Sequence, residues 1–253
     1  MQIPVSESLK QRAKEQLAPD GNLRVAVNLS NFLLVSCETD GGQPDGVSPA
    51  IARAIAENLS ASPQIIAYDG PGQIADAASS DAWDLANIAA EPARAEVISF
   101  SPAYCEIQAT YLLPPDCPVE GIAGVDKPGY RIAVKERSAY DLWLSANLQH
   151  ATLVRAPSLD ASFSVFRDQK LDALAGLRPK LLEQQELMPG SSLLDESFTS
   201  VQQSIGCQQG KPEASQYLSA FVVNAINSGL IAQLVSKYDV AGKLSVANVS
   251  LTS

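Results

Sequence analysis

The chain has 253 residues, 46% of them hydrophobic and 18% charged, an ordinary globular composition that excludes intrinsic disorder and suffices for two lobes of roughly 100 residues each. Its net charge of -10 opposes nucleic-acid binding, which needs a clustered basic face. No apolar run approaches the roughly 18 to 20 residues of a membrane helix. The opening stretch, MQIPVSESLKQRAKEQLAPDG, is charged throughout and reads as a polar leader without the apolar core of an export signal, so either a signal has been removed or the protein is cytoplasmic. The four cysteines, Cys37, Cys105, Cys117 and Cys207, are widely spaced and His150 is the only histidine, which excludes a zinc site. A Cys105–Cys117 disulfide and four small buried thiols both remain open readings.

NLRVAVNL (22–29) alternates as a strand, and GVSPAIARAIAENL (46–59) reads as a helix with Ser48 as N-cap and Pro49 in its first position. A strand follows at 63–68, a helix at 72–80 and a strand at 83–90, the alternation of a parallel sheet covered by helices. From about 109 the pattern resumes: strand 109–114, helix 119–125, strand 130–135, helix 138–148 and strand 151–156. A helix at 160–169, a strand at 171–177 and a helix near 179–187 complete a second α/β lobe. VQQSIGCQ (201–208) reads as a strand, and 211–238 as two helices broken near Gly229, whose apolar stripe needs a host in the first lobe.

The run WDLANIAAEPARAEVISFSPAY (83–104) resembles the most recognisable segment of the family 3 bacterial solute-binding proteins, in which a strand leads through a small-residue loop to T-x-E-R and then F-S-x-x-Y. NLRVAVN, the PDGVSPAIARAIAENL helix, IAVKERSAYDLWL and NSGLIAQLVSKYDV extend the resemblance in order over nearly the whole chain beyond residue 20. It implies an α/β fold of the type II periplasmic-binding-protein kind, two lobes joined by two crossover strands that close on a ligand. Residues 1–104 and 205–253 form the first lobe and 105–204 the second, with hinge strands near 105–109 and 200–204. It also implies a periplasmic monomer that takes up a small-molecule ligand and delivers it to an ABC-transporter permease, with no cofactor, no metal and no catalysis.

By the same resemblance Arg94 grips a ligand carboxylate, for which a planar guanidinium offers two parallel donors; a surface arginine paired with Glu91 or Glu96 is the alternative. Asn87 and Ala89 lie on the ligand-facing loop, and Asn28, Asn31 and Phe32 follow the first strand, where a ring commonly packs on the ligand, although Phe32 reads equally as core. In the second lobe KERSAYD (135–141) matches a segment whose helix-start N–H groups hold an anion, which gives the role to Ser138, Ala139 and Tyr140. The family's glycine is here Arg137, so the loop changes shape, presents a second cation or merely carries a solvated arginine.

The departures bear on substrate. Amino-acid binders usually place an aspartate after the D-A-V-V-like strand to accept the α-ammonium, whereas this chain has Leu177 followed by Arg178. Ala89 and Glu91 replace two residues of the carboxylate site. Glu91 or Glu106 could supply a displaced cation site, or be solvated carboxylates. The expected ligand is an organic acid, a modified amino acid or another carboxylated solute with two arginines in reach. The competing readings are a cyclohexadienyl-dehydratase-like enzyme using Glu91 or Glu106 as acid, and a cytoplasmic ligand sensor.

Overall fold

A computed structural model describes residues 3–249. In chain order the first elements are α1 (Glu7–Leu17), β1 (Asn22–Asn28), the short strands β2 (Cys37–Glu38) and β3 (Pro44–Asp45), α2 (Val47–Asn58), β4 (Ser62–Tyr68), α3 (Pro71–Asp76) and β5 (Leu85–Ala89). Next come α4 (Pro92–Ala95), β6 (Ile98–Phe100), β7 (Cys105–Leu113), β8 (Arg131–Lys135), α5 (Ala139–Asn147), β9 (Thr152–Ala156), α6 (Leu159–Asp168) and β10 (Ala173–Leu177). The last are α7 (Arg178–Glu186), β11 (Ser192–Leu193), β12 (Thr199–Gln208), α8 (Pro212–Asn227), α9 (Leu230–Lys237) and β13 (Ser245–Val246). The chain divides into two units, Met1–Glu106 with Gln202–Ser253, and Ile107–Val201.

In unit 1, β1 is central and pairs in parallel with β4 and β5, and β12 adds antiparallel to β5 with β6 beyond it. Alternation along β1 and full burial of β5 feed one core, where Trp83 packs with Ala26, Ile74, Ala86, Ile88 and Ile98. The Trp83 indole N–H donates to the Ile74 carbonyl at 3.1 Å, so this largest core side chain leaves no polar atom orphaned. In unit 2, β10 pairs in parallel with β8 and antiparallel to β7, and β8 pairs in parallel with β9. Its core joins Leu112, Ala133, Phe163, Phe166 and Leu174.

Four expectations change. The opening stretch folds as a helix: α1 buries Leu9, Ala13 and Leu17, one stripe at i, i+4 and i+8, against α8, and Arg12 ion-pairs with Glu213 at 2.9 Å. Its many charges occupy the other face and obscure the stripe. The helix expected at 119–125 is only a single tight turn at Ile122–Gly124, in a stretch interrupted by Pro118, Gly121, Gly124 and Pro128. Ser48 does not cap α2; Gly46 holds that position, and Ser48 lies inside the first turn with its hydroxyl buried and without a partner among the described residues. All four cysteines are free thiols, and Cys37 is exposed, so neither the disulfide nor uniform burial holds. The broken C-terminal pair is observed as expected, with α8 on α1 and β6 and α9 on α2, all within unit 1. Among the described residues no single helix is long and apolar enough to cross a membrane.

Gly46 has φ 142°, and a Cβ there would meet the Leu34 carbonyl oxygen. That close approach lets Ser48 N–H donate to the same carbonyl at 2.9 Å and ties α2 to the loop after β1. Gly46→Ala is expected to destabilise the protein by about 2–4 kcal/mol, read by urea unfolding; a loss below about 1 kcal/mol would show that the loop yields freely.

Candidate functional site

The carboxyl ends of β1 and β5 lie side by side, because Val27 is in register with Asn87. At the end of β1, Asn28 Oδ1 accepts from Ser30 N–H at 3.1 Å and from the Ser30 hydroxyl at 2.7 Å, and this local turn redirects the chain. The Asn31 carbonyl then accepts from Leu34 and Val35 N–H. The Asn31 side chain is 6% exposed and its Oδ1 has no partner among the described residues. Phe32, beside it, is half-buried.

On β5, buried Asn87 donates weakly to the Ser48 carbonyl at 3.4 Å and accepts from the Tyr104 hydroxyl at 2.7 Å. Burial raises the Tyr104 pKa well above its ordinary value, so this hydroxyl is a fixed donor. Ala89 ends the strand, and Pro92 opens the single turn α4 with Glu91 in extended conformation as its N-cap. The turn brings Arg94 back over the strand end, where Nη1 donates to the Ala89 carbonyl at 2.9 Å. Arg94 is 3% exposed, which removes the surface-arginine alternative. Glu91 is half-buried, and desolvation pushes its pKa up to about 7 against the opposing field of Arg94. Because the folded pKa is raised, the group's contribution to stability is full below its ordinary value of 4.5 and is lost as pH rises through about 7. Glu106 lies half-buried on β7, in register with Ser245 of β13.

In unit 2 the expected turn is built by a reciprocal cap. The Ser138 hydroxyl accepts from Asp141 N–H at 3.1 Å and donates to the Lys135 carbonyl at 2.8 Å, while Asp141 Oδ2 accepts from Arg137 N–H at 2.7 Å. The S-x-x-D spacing in SAYD carries this signal. Arg155, brought alongside Val134 by the β8–β9 pairing, donates to the buried Asp141 carboxylate at 2.9 Å. Ala139 and Tyr140 occupy the first turn of α5, where backbone N–H groups have no intrahelical acceptor, and the Tyr140 hydroxyl is buried. Arg137 has φ 57°. Arg137 therefore adopts the left-handed conformation that glycine favours and carries an exposed cation.

Leu177 is buried at the end of β10 and offers no polar atom. Arg178 answers differently from expectation: Nε donates to Gln108 at 2.7 Å, Nη1 to the Leu194 carbonyl at 3.1 Å and Nη2 to the Asp195 carbonyl at 2.6 Å. Its guanidinium staples the 194–197 segment and is committed to that role. These bonds engage the Arg178 guanidinium within unit 2, whereas the sequence reading places it beside the ligand. Sequence reasoning also missed Tyr104 and Asp141, the groups that orient Asn87 and the 135–138 turn. No group of His, Cys, Asp and Glu among the described residues could hold a metal.

Residues 23–241 match the bacterial extracellular solute-binding proteins, family 3, and the chain belongs to that family. No curated protein matches by sequence. Among solved structures, the amino acid ABC transporter substrate-binding protein AbpA of Streptococcus pneumoniae bound to L-arginine is 17% identical with a TM-score of 0.72, over 90% of this chain and 99% of that one. The ancestral amino acid-binding protein AncCDT-1, a precursor of cyclohexadienyl dehydratase, is 19% identical with a TM-score of 0.69, over 92% and 99%. The VFT2 domain of Bordetella pertussis BvgS is 20% identical with a TM-score of 0.70, over 93% and 99%. The fold is the type II periplasmic-binding-protein α/β fold.

Arg178→Ala is expected to cost about 1–3 kcal/mol of stability by removing the donor of the Asp195 carbonyl, while Thr110 still donates to the Leu194 and Glu196 carbonyls, and ligand affinity stays within about twofold. Urea unfolding and calorimetry separate the two; lost affinity at unchanged stability would return Arg178 to the ligand site.

Proposed function

We propose that this solute-binding protein captures a small carboxylated polar solute, a modified amino acid or an organic acid, through Arg94 and delivers it outside the cytoplasm to an ABC-transporter permease. One observation carries the reading: Arg94 is buried at the carboxyl edge of the unit 1 sheet, one guanidinium nitrogen fixed on the Ala89 carbonyl. A buried guanidinium aimed by a backbone carbonyl is pre-oriented for a planar carboxylate. Asn87, held by Tyr104, Ala89, Asn31 and Phe32 share that edge as ligand contacts. Within unit 2, the Ala139 and Tyr140 N–H groups, shaped by Ser138 and Asp141, offer donors for an anionic group, and Arg137 beside them carries positive charge. Leu177 withholds the anionic partner an α-ammonium ordinarily finds there, which supports a modified ligand. The segments near 105–109 and 200–204 act as the hinge, and the protein works as a monomer.

A second reading, a dehydratase, is favoured only by the Glu91 carboxyl, whose pKa near 7 suits a proton donor at neutral pH. Turnover of prephenate or arogenate that Glu91→Gln abolishes would establish it.

A thermal-shift screen of the whole chain against amino acids, organic acids, polyamines and aromatic acids tests the main reading, since a ligand at 100 times its Kd stabilises by about 2.7 kcal/mol. The hit is expected to be a carboxylate, and Arg94→Lys, which keeps the charge but loses the planar fork, to weaken it about 10- to 100-fold. A hit indifferent to Arg94→Lys would overturn the assignment.

A further inference from the structure

We propose that the C-terminal strand β13 is a strap that positions Tyr104, and through it Asn87, at the carboxyl edge of the unit 1 sheet. Its consequence for binding rests on Asn87 as a ligand contact, the reading given above; the strap itself does not.

The strap begins where the family match ends. Residues 23–241 match the family, and the chain beyond them turns at Gly242, φ 80°, with Lys243 N–H donating to the Val240 carbonyl at 3.1 Å. Leu244 and Ala247 are buried while Ser245 between them is exposed. β13 pairs antiparallel with the start of β7, Ser245 opposite Glu106 and Val246 opposite Cys105. A strand of two residues gains little from its own ladder, so its place is set by the two buried anchors and by what it donates.

What it donates is a bond to Tyr104, which is fully buried. The Tyr104 N–H donates to the Gln203 carbonyl at 2.8 Å, its carbonyl accepts from Ala247 N–H at 3.1 Å, and its hydroxyl donates to Asn87 Oδ1 at 2.7 Å. β12 thus holds its N–H and β13 its carbonyl. Gln203 also lies opposite Ala89, so the residue that anchors Tyr104 is in register with the one whose carbonyl aims Arg94.

A buried carbonyl without a donor is costly, and a chain relieves that cost by turning the peptide toward another donor or toward water. Without Ala247 N–H, the Tyr104 backbone keeps only its bond to Gln203. The hydroxyl stands at the far end of the ring, where a small backbone shift is enough to break its bond to Asn87. Asn87 would then keep only the weak 3.4 Å bond to the Ser48 carbonyl, and its amide would no longer be held in one orientation. β13 is therefore a positioning element that acts on the site through Tyr104.

Isotope-labelled asparagine in the full chain reads this edge by NMR without any ligand, through the side-chain amide resonance of Asn87, identified by its absence in Asn87→Asp. Ala247→Pro removes the N–H that Tyr104 accepts, whereas Ala247→Gly keeps it and trims only the buried methyl. The Asn87 resonance is expected to shift or broaden in Ala247→Pro as it does in Tyr104→Phe, and to stay in place in Ala247→Gly. Combining Ala247→Pro with Tyr104→Phe should change it no further. A chain ended after Lys243 should behave as Ala247→Pro does. Calorimetry with L-arginine, L-glutamate, glutarate and citrate adds the binding readout. A compound that binds the intact chain should bind Ala247→Pro about 3- to 10-fold more weakly, with no added loss on top of Tyr104→Phe. A resonance indifferent to Ala247→Pro and to the shortened chain, equal effects of Ala247→Gly and Ala247→Pro, or losses that add to those of Tyr104→Phe overturn the strap and leave the carboxylate reading standing. Binding by none of these compounds, with the expected resonance changes present, overturns the carboxylate reading and leaves the strap standing.

Discussion

The parallel pairing of β1 with β5 governs the candidate site in unit 1. With Val27 opposite Asn87, both strands end at the same edge, and the loops that leave them must share it. Parallel sheets collect function at this edge because each strand there runs out into a connection whose backbone and side chains are no longer claimed by the ladder. The pairing with β12 completes the constraint: Gln203 lies opposite Ala89, so β12 holds β5 up to its last residue, beyond where its pairing with β1 ends at Asn87. The Ala89 carbonyl is thereby a rigid acceptor. A flexible arginine that donates to it inherits that rigidity and loses less freedom when a ligand arrives.

Around this edge the polar groups form two classes. Tyr104, Asn87 and the Ser48 carbonyl satisfy one another in sequence, and such a chain fixes geometry. Asn31 Oδ1, the Ser48 hydroxyl and the Glu91 carboxylate have no donor among the described residues. Satisfied groups stabilise the scaffold, and unsatisfied ones lower its stability in a form that a ligand can return on binding. Asn87 therefore reads as an orienting element as much as a contact. Asn31 and Glu91, which the surrounding fold does not complete, are where specificity would reside.

Much of the architecture was legible because β-strands and helices alternate with clean apolar runs, as in NLRVAVN and LDALAGL, and the edge residues could be placed by the strands they follow. What escaped has physical causes. In α1 only three apolar residues mark the buried face among many charges. At α2 the local preference for a serine cap lost to a backbone requirement: Gly46 adopts φ 142° against Leu34, a contact twelve residues away that no local pattern encodes. Arg178 failed for the same reason. Its position after β10 suggested a ligand contact, but its partners are carbonyls at 194–196, reached only once β11 and the following loop fold back on β7. The Ser138–Asp141 cap, by contrast, was written in four consecutive residues.

The 135–141 turn separates conformation from charge in a way sequence comparison cannot. A glycine replaced by arginine suggests a reshaped loop, yet Arg137 stays left-handed, a state costing an L-residue roughly 1–2 kcal/mol. Strain persists only where neighbours over-determine it. Here the neighbour is Asp141, buried and charge-paired with Arg155, whose second oxygen pins the Arg137 N–H. That oxygen dictates the backbone whatever the side chain at 137. The position is thus free to vary in charge while the first-turn N–H groups of α5 keep their direction. In unit 1 the arrangement is reversed: the cation at 94 is fixed by the scaffold, and the tunable charge is the carboxyl at 91.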